Sequence, residues 1–122
     1  MTETVASPDM LGSLDLASLA ARYRDGLQPS DVVRGLLARI AAADNDAVWI
    51  SRVPDEVLLA AAAILDAVLP AQRATLPLYG IPFAVKDNID CVGLPTTAAC
   101  PGFAYQPTED ATAVAQIGRA HV

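Results

Sequence analysis

Pro77-Leu78-Tyr79-Gly80-Ile81-Pro82-Phe83-Ala84-Val85-Lys86-Asp87-Asn88-Ile89-Asp90 is a short apolar run that ends on a charge. Ile81 to Val85 is apolar throughout, with Gly80 before it and a polar cluster after, the pattern of a buried strand. Pro82 lies near the first residue, where a missing ladder donor is tolerated. A two-residue side-chain period puts Ile81, Phe83 and Val85 on one face and Pro82, Ala84 and Lys86 on the other. Asp87 then falls opposite Lys86 and is not its automatic ion-pair partner. Lys86 is the only lysine of the chain. At the end of a buried strand, without an adjacent counter-charge, a lysine is desolvated, loses its proton more readily and can act as a base. The alternative is a structural lysine that extends its ammonium into water or pairs with a carboxylate. Spacing alone leaves both open.

Gly80-Ile81-Pro82-Phe83-Ala84-Val85-Lys86-Asp87-Asn88, followed by Gly93-Leu94-Pro95-Thr96-Thr97-Ala98, resembles the N-terminal part of the amidase signature family. Within it, Leu94 to Pro101, Phe103-Ala104-Tyr105 and the opening Leu14 to Leu19 are most similar to allophanate hydrolase. The resemblance runs from about Leu14 to Ala115. It implies an α/β fold, with residues 13–115 forming the N-terminal helices and first strands of an incomplete α/β/α sandwich behind a flexible tail, residues 1–12. It also implies amide hydrolysis by a Ser–cis-Ser–Lys triad, with Lys86 as the catalytic lysine. The implied reaction converts urea-1-carboxylate to ammonia and carbon dioxide, without metal or cofactor. A small amide is the implied substrate, and a homodimer coupled to urea carboxylase the implied setting of the full-length protein. Asp87 and Asn88 are expected to bond local backbone and fix the turn that presents Lys86. The loop through Thr96 and Thr97 is expected beside the active site, where a hydroxyl orients Lys86 or a serine, or caps a turn.

Every serine (Ser7, Ser13, Ser18, Ser30, Ser51) precedes Lys86, and none lies in a glycine- and serine-rich loop. The nucleophile and cis-serine of the triad have no counterpart among them. The expectation is an N-terminal fragment, inactive by itself. Ile117-Gly118-Arg119-Ala120-His121-Val122 is the translation of ATC GGA AGA GCA CAC GTC, a common sequencing-adapter read whose next codon is TGA, a stop. The adapter's preceding AG after a C gives Gln116. Residues 116–122, with the only histidine, are therefore expected not to be protein-derived.

The 122 residues match one small domain, and a 53% apolar fraction fits a folded core. A net charge of −6 argues against nucleic acid or an anionic membrane as partner. The first twelve residues lack a basic, apolar signal-peptide pattern. Cys91 and Cys100 lie in a loop-like segment without metal spacing, so free thiols in a cytoplasmic setting are expected.

Leu16, Leu19, Ala20 and Tyr23 have helical spacing, with Gly26 as the stop. Pro29 fits the first turn of a second helix, with Asp31 at the positive end of its dipole. Val32, Val33, Leu36, Leu37 and Ile40 form its buried stripe, Arg34 and Arg39 its wet side, and Gly35 marks a close helix contact. Asp44-Asn45-Asp46 breaks that helix, and Val48-Trp49-Ile50 reads as a short strand with Trp49 half-buried. Pro54-Asp55-Glu56 starts a third helix, Val57 to Leu69, apolar nearly all round and so buried on all sides. Pro70 to Leu76 is a linker. Residues 87–108 form an ordered loop, and Asp110 caps a final helix from Ala111. Two other readings stay open. One is another amidase signature enzyme, either a general amidase or the amidase-type component of a tRNA-dependent amidotransferase. The other is a non-catalytic helical interaction module.

Overall fold

The computed structural model of the chain describes residues 11–43 and 47–121. The order of elements is α1 (Leu16–Arg24), α2 (Pro29–Ala42), α3 (Asp55–Asp66), a single turn α4 (Pro70–Arg73), a 3-10 turn (Pro101–Phe103) and α5 (Thr112–His121). Each start follows from a local signal. Asp15 caps α1, its carboxylate accepting the Ser18 N–H at 2.8 Å. Pro29 occupies the first position of α2, where its missing N–H costs nothing, and the Asp31 carboxylate accepts the Gln28 N–H. Asp55 and Glu56 open α3 at the positive end of its dipole.

Helices α2 and α3 pack against one another. Where they meet, the Asp66 carboxylate near the end of α3 accepts the N–H of buried Ser30 at 3.0 Å, satisfying an orphan donor of α2. The core consists of Leu11, Leu19, Tyr23, Val32, Leu65 and Tyr79. Tyr23 and Tyr79 meet edge to face at 5.5 Å, and the Tyr79 hydroxyl donates to the Leu65 carbonyl oxygen. Arg73 lies 5.0 Å over the Tyr79 ring and donates to the carbonyl oxygens of Asp66 and Val68. The expected linker from Pro70 thus carries a helical turn that fastens the end of α3.

Several expectations need correction. The apolar run Ile81 to Val85 and the segment Val48 to Ile50 form no strand; among the described residues the one β contact is the isolated antiparallel bridge Thr96–Tyr105. A strand exists only through its ladder partner, and no described segment forms a backbone ladder with either run. The α/β sandwich is therefore not formed by the described residues. Helix α3 ends at Asp66 and is not buried all round: Ala62 and Leu65 are buried, whereas Ile64 is 66% exposed, because one face of the helix alone meets α2. Trp49, 39% exposed, is half-buried as expected and lines the cavity described below.

The reading of residues 1–12 as a flexible tail fails at its end. Leu11 is 4% exposed, and its side chain fills the notch at Gly35, where an added Cβ would lie 3.0 Å from Leu11 Cδ1. The atoms nearest Gly35 are therefore those of Leu11 and do not come from a neighbouring helix. Arg22 and Arg39 clamp the same segment through the carbonyl oxygens of Leu11 and Gly12, so Arg39 is not simply on the wet side. Residues 1–10 and the breaker Asp44-Asn45-Asp46 lie outside the described residues.

Candidate active site

Tyr79 and Gly80 anchor the start of the lysine segment. Gly80 has φ +67, a conformation that favours glycine, and its carbonyl oxygen accepts the Tyr23 hydroxyl. Ile81 to Val85 then crosses one side of a cavity of about 410 Å3 whose other walls come from α2, α3 and the Trp49 segment. The lining is apolar, with Val33, Leu36, Leu58 and Leu65 across from the run. Lys86 stands at the far end and is exposed. Burial of this residue is the condition for a desolvated amine, and the described residues do not meet it, because no strand pairs with the run and nothing covers its end.

The loop after Lys86 is built on two carboxylates. Asp87 Oδ2 accepts the Thr97 hydroxyl, and the Ala99 N–H at 3.1 Å. Its carbonyl oxygen accepts the N–H groups of Thr97 and Ala98, both at 3.2 Å. The Thr97 hydroxyl bond, followed by the Ala99 N–H, holds the Asp87 carboxyl below the ordinary carboxylate range. Asp90 Oδ1 accepts the Thr96 hydroxyl at 2.8 Å and the Tyr105 hydroxyl. Thr96 is 2% exposed and also forms the backbone bridge to Tyr105. The hydrogen bond to Asp90 keeps the Tyr105 hydroxyl protonated above its usual value.

The five residues picked out from the sequence thus separate into three groups. Asp87 and Thr97 are brought together, Thr96 joins Asp90 and Tyr105, and Lys86 and Asn88 are exposed outside both clusters. Asp87 fixes its turn through residues ten to twelve positions away, not through local backbone. Neither threonine hydroxyl bonds Lys86; both are given to carboxylates. Asp90 and Tyr105 are partners that the sequence reading does not supply. The usable signal is the pairing of two acids three apart, Asp87 and Asp90, with two adjacent hydroxyls, Thr96 and Thr97.

Asp110 does not cap α5; its carboxylate accepts the Val92 N–H at 2.7 Å, and α5 begins at Thr112. Gln116 to His121 belongs to α5, with Ala120 accepting the Leu78 N–H and the His121 ring against Phe83. Cys91 and Cys100 are free thiols. Burial, reinforced by Asp110, pushes the Cys91 thiol up, which leaves it a poor nucleophile at neutral pH. Among the described residues no helix is long and apolar enough to cross a membrane, and no cluster of ligands could hold a metal.

The family model described as Amidase matches residues 31–122. The urea amidolyase of Saccharomyces cerevisiae is 53% identical over 75 residues, 62% of this chain and 4% of that protein. A glutamyl-tRNA(Gln) amidotransferase component from Salinispora arenicola is 35% identical over 108 residues, 88% of this chain and 22% of its own length. Among solved structures, the allophanate hydrolase of Kluyveromyces lactis superposes with a TM-score of 0.62 at 39% identity, covering 83% of this chain and 17% of that one. The chain belongs to the amidase family. It spans a small part of each of these relatives.

Proposed function

We propose that this chain carries the lysine-bearing segment of an amide hydrolase acting on allophanate, urea-1-carboxylate. The likeness to a solved allophanate hydrolase, which covers most of the chain, supports this reading most strongly. In the proposed mechanism a neutral Lys86 accepts a proton from a bridging cis-serine, which takes one from the nucleophilic serine. That serine adds to the amide carbonyl, and backbone N–H groups stabilise the oxyanion. The proton taken up by Lys86 returns through the cis-serine to the nitrogen, which leaves as ammonia, and water then releases the acyl group.

Neither serine is identified among the residues of this chain, all of whose serines precede Lys86. In this reading residues 13–115 are the N-terminal part of an amidase domain, and residues 116–122 stand outside the protein-derived sequence. Sequence from the remainder of such a domain supplies both serines and the strands that cover Lys86 and pair with Ile81 to Val85. Isolated, the chain is inactive. The complete protein is read as cytoplasmic and cofactor-free, with a small amide substrate, a homodimeric state and functional coupling to urea carboxylase.

A second reading, the amidase-type component of a tRNA-dependent amidotransferase, is favoured by the longer alignment with the Salinispora protein. Recovering the uninterrupted gene and assaying its product for ammonia release separates the two. Release from allophanate in preference to simple amides is expected. A gene without paired serines downstream of Lys86 refutes both readings. Turnover of glutamine or simple amides with no activity on allophanate supports the second.

A further inference from the structure

Lys86 has a carboxylate as its immediate neighbour, yet the two are not paired. Among the described residues the ion pairs are Arg34–Asp31 and Arg52–Asp55. The explanation lies in what Asp87 holds. Its Oδ2 takes the Thr97 hydroxyl and the Ala99 N–H, and the Ala99 N–H also reaches Thr97 Oγ1 at 3.2 Å. Ala98 and Ala99 have φ values of 49 and 59, so the chain curls and brings successive N–H groups to one acceptor residue. The carboxylate is thereby committed to the Thr97 side.

The other charged and titratable groups of the loop offer no substitute partner. Asp90 holds Thr96 and Tyr105, Asp110 holds the Val92 N–H, burial pushes the Cys91 thiol up so that it favours its neutral form, and among the described residues Glu109 is in neither ion pair.

We propose that the Thr97 hydroxyl is a positioning group for Lys86: by engaging the Asp87 carboxylate it withholds the negative charge of the adjacent residue from the amine. A carboxylate in contact with an ammonium stabilises it and opposes loss of its proton. The consequence for catalysis rests on the proposed role of Lys86 as the base; the charge relation between Thr97, Asp87 and Lys86 does not.

Because Lys86 is the only lysine, reductive 13C-methylation of the whole chain labels it and the terminal amine alone. Its signal can then be followed through a pH titration. In the native chain the Lys86 signal is expected to stay unmoved through the acid range in which Asp87 titrates. In Thr97→Val it gains an inflection there, and its own midpoint rises by about 0.3 pH unit, the size of a short surface charge contact. Thr97→Ser, which keeps the hydroxyl, restores native behaviour, and Thr97→Val in an Asp87→Asn background produces no rise. The proposal is overturned if the native Lys86 signal follows the Asp87 titration. It is equally overturned if folded Thr97→Val titrates like the native chain. Should Thr97→Val fail to fold, the native titration and Thr97→Ser decide. The readout is the amine itself, so its failure leaves the hydrolase reading standing, and absence of allophanate hydrolysis leaves the charge relation standing.

Discussion

The Tyr23 hydroxyl donates to the carbonyl oxygen of Gly80, tying the first helix to the turn from which the lysine segment departs. The ring is so close that a Cβ on Gly80 would lie 2.7 Å from Tyr23 Cζ, and the φ of +67 is itself unfavourable for any other residue. Strain and clash add, so Gly80→Ala should destabilise the chain by about 2 kcal/mol or more. Tyr23→Phe, which leaves the carbonyl without its donor, should cost about 1 kcal/mol. Midpoints of urea unfolding check both, and an unchanged midpoint for Gly80→Ala would show that the contact is not made.

Asp15 accepts the hydroxyls of Ser13 and Ser18 and the Ser18 N–H, contacts that bring its carboxyl down to about 2. A carboxylate whose folded value lies below its unfolded value adds stability above the unfolded value, near 3.8, and loses it as pH falls toward 2. Acid unfolding of Asp15→Asn should therefore be less steep than that of the native chain between these limits. Coincident acid profiles would contradict the cap.

Leu11 fills the notch over Gly35 and joins the core. Leu11→Ala should cost about 2 to 3 kcal/mol, the range for a buried leucine whose site cannot fully collapse. A surface-tail residue would cost almost nothing, so denaturant unfolding discriminates sharply.

Ala98 and Ala99 are held with left-handed backbone by the acceptors of Asp87. Glycine takes that conformation without the Cβ penalty, so Ala98→Gly should stabilise the chain by about 0.5 to 1 kcal/mol. The same change in an extended loop would destabilise. The sign of the shift in thermal midpoint decides.

Legibility from sequence follows the range of the interactions. The starts of α1, α2 and α3 are set by residues within one turn, Asp15, Pro29 and Asp55, and are readable. The lysine segment is legible as an apolar run ending on a charge, but whether Ile81 to Val85 becomes a strand depends on a partner that no local pattern supplies. Leu11 escapes a local reading because its pocket is made by Gly35, distant in sequence. The site is half readable. Asp87, Thr96 and Thr97 stand out in the sequence, while the pairing of the three hydroxyls, Thr96, Thr97 and Tyr105, with carboxylates comes from loop closure across six to fifteen residues. Exposure of Lys86 cannot be read at all, since it is a property of what packs over the segment.

The most direct measurement is the rate of allophanate hydrolysis by the complete amidase domain carrying Lys86→Met, a change that keeps the length and shape of the side chain. Loss of the proton acceptor should reduce kcat by a factor on the order of a thousand or more while the folded state persists. Turnover close to that of the unsubstituted enzyme would remove Lys86 from the chemistry.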